Sequence, residues 1–268
     1  MTSKFDGYVI YSDMDGTLLN NKKKVSHENK EAIKLFIENG GRFSMATGRA
    51  FEAIEEYLED ININMPLIVY NGAMIYDSKE RKILKVHYLE EEKKNIVYKI
   101  KENYKDLGIE IHCGVDIYIF NDNGTSERPA TKFLNVIHEM PENLFELKWN
   151  KIVLIGEMEH MDNIQKELKL KYDITTVRSG SIFVEIMPDN TSKGNALEEI
   201  IDLFNLDKNK VIAAGDDMND VEMLKKCGIA VCPENASEGA KKYADIVGCS
   251  NENHLMKNIV EFLKKEKI

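Results

Sequence analysis

Asp13 and Asp15, two positions apart and followed by Gly16, are the residues of this chain best placed to do chemistry. They follow an apolar run, Tyr8-Val9-Ile10-Tyr11, that reads as a short buried strand. Both carboxylates therefore stand where a strand ends and where glycine allows the chain to turn sharply. The carboxyl ends of strands are where open α/β sheets build their sites. Two neighbouring acids there repel each other unless a cation or a shared proton relieves them. A second cluster, Gly215-Asp216-Asp217-Met218-Asn219-Asp220, follows another apolar run at 211–214. Two acidic strand ends that far apart in sequence suggest one hard-cation site closed by folding. Each acid could instead cap the turn after it. An EF-hand loop is ruled out, because Leu18 stands where that loop needs glycine.

Three further positions bear on the same site. Thr47 ends a second apolar strand and could bond a phosphate oxygen, although a threonine there is more often structural. Lys193 starts a helix, where the helix dipole disfavours a cation, so an anion or acidic neighbours must offset it unless it is solvated. Asp220 lies one helical turn beyond Asp216, and Asp217 is expected to be a solvated acid.

The elements that must position these residues alternate. Strand, helix (Ser26 capping it), strand, helix at 51–59 and strand at 67–70 make the rhythm of a parallel sheet. Asn71-Gly72 then signals a tight hairpin into 74–76. Between about 82 and 187 the rhythm becomes helix-strand-strand, twice, with a helix at 130–137 and a strand at 151–156 between the repeats. That is an α+β unit with helices on one face, inserted in the chain. The parallel rhythm resumes at Lys193 and runs to a terminal helix. The predicted fold is α/β, a Rossmann-like, mostly parallel core over 1–80 and 188–268 with an inserted α+β domain over 81–187.

The 268 residues, 43% hydrophobic and 31% charged, describe a globular protein with ample core. No apolar stretch approaches the roughly 20 residues of a membrane helix. Lys4 and Asp6 interrupt any signal-peptide pattern. Cys113, Cys227, Cys232 and Cys249 show no CxxC spacing, so free thiols in a reducing, cytoplasmic setting are expected rather than zinc ligands. A net charge of −10 argues against nucleic acid as a partner. It allows a small anion held by a local field of metal, lysine and backbone amides.

Together these residues resemble the haloacid dehalogenase superfamily, specifically its Cof-type subfamily IIB phosphatases, over nearly the whole chain. Asp13-Met14-Asp15-Gly16-Thr17-Leu18-Leu19 resembles the first family motif, Thr47-Gly48-Arg49 the second, Lys193-Gly194 the third, and residues 215–220 the fourth. Asn71-Gly72-Ala73 and Glu185-Ile186-Met187-Pro188 resemble the subgroup's wording around its cap, while Asn190-Thr191 departs from its usual linker. The resemblance implies that Asp13 is a nucleophile forming an aspartyl-phosphate and Asp15 an acid and then a base. It implies Mg2+ held by Asp13, Asp216 and the backbone oxygen of Asp15, phosphate bound by Thr47, Gly48 and Lys193, and support from Asn219 and Asp220. The insertion would be a lid choosing the leaving group, with His112, Trp149 and Arg178 as candidates for that choice, each also readable as structural.

The expected function is a magnesium-dependent phosphatase of small phosphorylated metabolites such as a sugar phosphate, working as a monomer or small homo-oligomer without nucleic acid or membrane. A phosphomutase and a non-catalytic regulatory protein are the alternatives. No GxGxxG or P-loop pattern supports a dinucleotide enzyme or an NTPase.

Overall fold

In the computed structural model, which describes residues 4–125 and 131–265, the chain opens with β1 (Val9–Ser12), α1 (His27–Glu38), β2 (Arg42–Met45), α2 (Glu55–Leu58) and β3 (Leu67–Val69). Ser26 caps α1, its side chain accepting a hydrogen bond from the Asn29 amide, and Ile33 and Phe36 face inward. Helix α2 is much shorter than the 51–59 expected. Ile54 occupies its N-cap and has no side-chain acceptor for the first free amides. After β3 the hairpin forms as its Asn-Gly pair predicts: β4 (Met74–Asp77) returns antiparallel to β3. A further strand, β5 (Lys82–Val86), extends that sheet to the order β3-β4-β5. Its mostly exposed residues give no apolar run to announce it.

The chain divides into two compact units, Met1–Arg49 with Ile54–Lys85 and Ser192–Ile268, and Ala50–Ala53 with Val86–Thr191. The second unit carries α3 (Glu91–Lys94), α4 (Ile96–Asn103), β6 (Gly108–Cys113), β7 (Asp116–Asn121), β8 (Asn135–Ile137), β9 (Lys151–Ile155), α5 (Met158–Tyr172), β10 (Thr176–Gly180) and β11 (Phe183–Ile186). Its sheet runs β10-β11-β9-β6-β7-β8. Alternation along the strands turns Ile109, Ile111, Ile152, Leu154, Val184 and Ile186 to one face, where they pack with apolar residues of α4 and α5. The helix expected at 130–137 does not form: 135–137 is strand, and residue 130 lies outside the described residues. Val136 and Ile137 pair in parallel with Ile117 and Tyr118, and the Asn135 amide bonds the Val115 carbonyl. Ladder bonds and β-branched packing win there over helix propensity.

The chain then returns to the first unit with α6 (Lys193–Leu203), β12 (Val211–Ala214), α7 (Val221–Lys226), β13 (Ile229–Cys232), α8 (Glu238–Lys241), β14 (Ile246–Val247) and α9 (Leu255–Lys265). The main sheet of this unit has the order β14-β13-β12-β1-β2, and every pairing is parallel. The α/β class read from the alternation of elements is the class observed. Both flanks of β1 help to assemble the acidic end of the sheet. Ser12 is in register with Ala214 on one side and Met45 on the other, so residues 13, 46–47 and 215–216 leave the sheet side by side. Val9, Tyr11, Val211 and Ala213 are buried together with Ala196, Leu197 and Ile200 of α6, which fixes that helix on the sheet. Among the described residues, no helix is long and apolar enough to cross a membrane.

Candidate active site

At the carboxyl end of β1 the Asp13 amide continues the ladder by bonding the Ala214 carbonyl at 2.8 Å, while the Ala46 amide bonds the Ser12 carbonyl at 2.9 Å. These bonds bring the first and last acidic segments together. One carboxylate oxygen from each of Asp13, Asp216 and Asp220 lies within 4.8 Å of the other two. The Lys193 ammonium, wholly buried at the start of α6, stands 2.6 Å from Asp13 Oδ1 and 2.6 Å from Asp220 Oδ1. The lysine that looked misplaced at a helix N-terminus is thus offset by acidic neighbours. Ser192 caps the same helix by accepting from the Asn195 amide.

Asp220 is held from a second direction, since its Oδ2 accepts from the amides of Asp216 and Asp217 at 2.9 and 3.2 Å. Both of its oxygens are thus engaged, one on Lys193 and the other on the 216–217 turn. Thr17 donates to Asp216 Oδ1 at 2.7 Å, and Ser237 and Asn235 brace the same turns through the Asp216 and Gly16 carbonyls. Gly16 is needed as glycine: its φ is +85°, and a Cβ there would lie 2.3 Å from Asp216 Oδ2. Asp217 is not the plain solvated acid expected. It closes a capping box with Asp220 and accepts from the Met218 amide.

Three carboxylates gather beside one ammonium, which pairs with two of them, so with all three ionised the cluster has a formal surplus of two negative charges. Burial raises Asp13 well above the usual carboxylate range, aided by Asp220 and Asp216 and only partly opposed by Lys193. Burial and the Asp220 charge likewise push Asp216 up to about 6. Burial alone would lower Lys193, but Asp13 and Asp220 outweigh it, so the ammonium keeps its proton above the ordinary lysine range. An all-oxygen donor set with a surplus of two negative charges fits a hard divalent cation.

Asp15 turns elsewhere. Arg49 grips it with Nε and Nη2, each at 2.8 Å, and Lys23 Nζ lies 2.7 Å from Oδ1. Burial works to raise this carboxyl, yet the two cations prevail and hold it below its ordinary value. Arg49 and Lys23 are the neighbours of Asp15 that the sequence alone did not single out. The second motif contains Arg49, but nothing in its spacing to Asp15 announces the pair. Thr47 is buried, its amide bonded to Ile68 and its hydroxyl accepting from the Arg49 amide at 3.2 Å. Gly48 lies against the Asn71 side chain, and Asn219 Nδ2 donates to Asn71 Oδ1 at 3.1 Å. Thus 13, 216, 220 and 193 form one cluster, 47, 48 and 219 meet at Asn71, and Asp15 forms a third group with Arg49 and Lys23.

The candidates for leaving-group choice lie in the second unit. Trp149 is fully buried in its core and donates Nε1–H to the Leu144 carbonyl at 2.9 Å. His112 pairs with Glu110 at 3.1 Å on the sheet face turned away from that core, where Lys151 meets Glu185 at 2.8 Å. Arg178 bonds the Ser181 carbonyl and lies 3.8 Å from Asp162.

A parallel sheet with acids gathered at the carboxyl end of its first strand is the place where open α/β folds build their sites, and sequence relatives specify which kind this is. Residues 10–258 match the model of the haloacid dehalogenase-like hydrolases, so the chain belongs to that family. It is 28% identical, over 91% of its length and 94% of the relative's, to the 5-amino-6-(5-phospho-D-ribitylamino)uracil phosphatase YwtE of Bacillus subtilis. It is also 28% identical to the phosphatase YwpJ of the same organism, over 95% of this chain and 99% of that one. The crystal structure of a haloacid dehalogenase-like hydrolase from Bacteroides thetaiotaomicron superposes with a TM-score of 0.81 at 25% identity, covering 96% of this chain and 99% of that one.

Proposed function

We propose that this hydrolase is a magnesium-dependent phosphatase of small phosphorylated metabolites, sugar phosphates or similar monoesters, working through an aspartyl-phosphate on Asp13. The observation that carries the reading is the convergence of Asp13, Lys193, Asp216 and Asp220 from three distant stretches of chain into one buried cluster.

Asp13 is the nucleophile. Its carboxylate attacks phosphorus as the bond to the ester oxygen breaks, and Asp15, protonated for this step, gives its proton to the departing alkoxide. Asp15, now ionised, takes a proton from water, and that water's oxygen attacks phosphorus. The Asp13–phosphorus bond breaks, freeing inorganic phosphate and restoring the carboxylate. Arg49 and Lys23 favour ionised Asp15, the form the second step requires, and must loosen for the first. Lys193, Thr47 and Gly48 bind the equatorial phosphoryl oxygens, where charge resides in the transition state. The carboxylates of Asp13 and Asp216 and the backbone oxygen of Asp15 would hold magnesium, which would offset repulsion between nucleophile and phosphoryl dianion. Asp220 orients Lys193. The free thiols among the described residues and the absence there of a membrane-spanning helix agree with work in the cytoplasm.

The test is phosphate release from a panel of phosphorylated metabolites, with and without magnesium, by the wild type and by Asp13→Asn. Turnover that needs magnesium and vanishes in the variant is expected. Near-normal turnover by a folded Asp13→Asn protein refutes the nucleophile.

A further inference from the structure

The turn after β3 is built in an unusual conformation. Tyr70 and Asn71 both adopt left-handed backbone angles, with φ of 52° and 51°, and Gly72 follows at 96°. Tyrosine gains nothing intrinsic from that region, so the surroundings must impose it. Two backbone contacts of the turn lead to one place. The Tyr70 amide bonds the Arg49 carbonyl at 3.0 Å, and the Asn71 amide bonds the Thr47 carbonyl at 2.9 Å. Because a trans peptide opposes its C=O and N–H, the second bond aims the Gly48 N–H away from the turn.

Asn71 is 2% exposed, and its side chain is equally committed. Its Oδ1 accepts from Asn219 Nδ2 at 3.1 Å, and a Cβ at position 48 would lie 2.9 Å from its Nδ2. Next to it, Gly72 fits under the backbone leading into α6: a Cβ there would lie 2.1 Å from the Ser192 carbonyl oxygen and 2.9 Å from the Lys193 nitrogen. One three-residue turn therefore touches the Thr47-Gly48 segment, the Asn219 side chain and the start of the helix that carries Lys193.

We propose that Asn71 is a positioning residue for phosphate, setting the Thr47-Gly48 loop against Asn219 and Lys193 through its left-handed backbone and its side-chain amide. This rests on the phosphatase reading, which makes residues 47, 48 and 193 the phosphate contacts. In this role Asn71 acts through those residues and not on a reacting atom. Its removal therefore loosens the grip on phosphate while the acidic cluster around Lys193 keeps its contacts.

Asn71→Gly tests this, because glycine keeps the left-handed backbone and deletes only the side chain. The readouts are the inhibition constant for inorganic phosphate, KM and kcat with one monoester, and the thermal midpoint. The phosphate constant and KM are expected to rise about tenfold or more, the effect of disturbing hydrogen bonds to a charged group. Combining Asn71→Gly with Asn219→Ala is expected to add little beyond the larger single effect, as for residues acting as one unit. Asn71→Asp, a second variant that tolerates the same backbone, sets a carboxylate beside Gly48 and is expected to weaken phosphate binding further than glycine does. An unchanged phosphate constant with a lowered thermal midpoint overturns the inference and leaves Asn71 purely structural. Additive effects with Asn219→Ala, or an aspartate variant that binds phosphate as well as wild type, also overturn it. Wild-type protein that turns over no monoester with magnesium refutes instead the phosphatase reading underneath.

Discussion

Replacing Lys193 by methionine keeps roughly the volume of the side chain and removes its charge, which strands the carboxylates packed around it. The ammonium is fully buried and stands 2.6 Å from each of two carboxylates, whose side chains are only 8% and 1% exposed. Removing one partner of a buried ion pair costs about 3–5 kcal/mol, because the charge left behind has no compensation. The cost depends on pH with a definite sign. Lys193 stays charged throughout the range from pH 5 to 8, so the dependence comes from the acids. Burial raises Asp13 above its ordinary value, so the folded state binds more protons than the unfolded state, and stability falls as pH rises through the folded-state value. Without the lysine that rise is larger and the fall extends to higher pH. Urea melts of metal-free Lys193→Met against wild type are expected to show a loss of about 3–5 kcal/mol at pH 8 and a clearly smaller loss at pH 5. Magnesium at pH 8 is expected to return part of the loss by binding the folded state. An equal loss at both pH values, or a loss below about 1 kcal/mol at pH 8, refutes the view that this lysine neutralises a buried acidic cluster.

Three further predictions concern separate groups. With Asp216 titrating at about 6, protons compete with a divalent ion, so magnesium affinity measured by calorimetry is expected to fall as pH drops below 6 and to be largely lost in Asp216→Asn. Arg49→Met removes the fork that keeps Asp15 ionised, so the alkaline limb of the kcat/KM profile is expected to move to higher pH; an unmoved limb contradicts the role given to this pair. Trp149→Ala opens a cavity in the core of the second unit and is expected to cost about 3–5 kcal/mol in a denaturant melt.

Much of the site was legible because its residues sit where apolar runs stop. Runs ending at Asp13, Thr47 and Asp216 are the strands β1, β2 and β12, and parallel register alone sets their ends beside one another. What escaped notice is what depends on long-range pairing without a pattern. Arg49 and Lys23 find Asp15 through the path of two loops, and no periodicity encodes that meeting. Asn71 announced a hairpin, which forms, but the Asn-Gly signal says nothing of its hydrogen bond to Asn219. The strand β5 is exposed on most of its residues and so shows little alternation, and β8 is three residues long. The helix at 51–59 shrank to Glu55–Leu58 for want of a capping side chain, a local feature that could have been read from Ile54.

The place of β1 inside its sheet bears on how such a molecule is made. All four of its residues are buried, and one of its two neighbours, β12, belongs to a stretch some two hundred residues later. On a ribosome the early segment emerges long before that neighbour exists. Until then Val9 to Ser12 offers an open row of amides and carbonyls to any passing strand. Nascent chains stalled short of residue 211 should therefore aggregate or occupy chaperones, whereas those carried past β12 close that side of the strand and gather the acidic cluster in the same event.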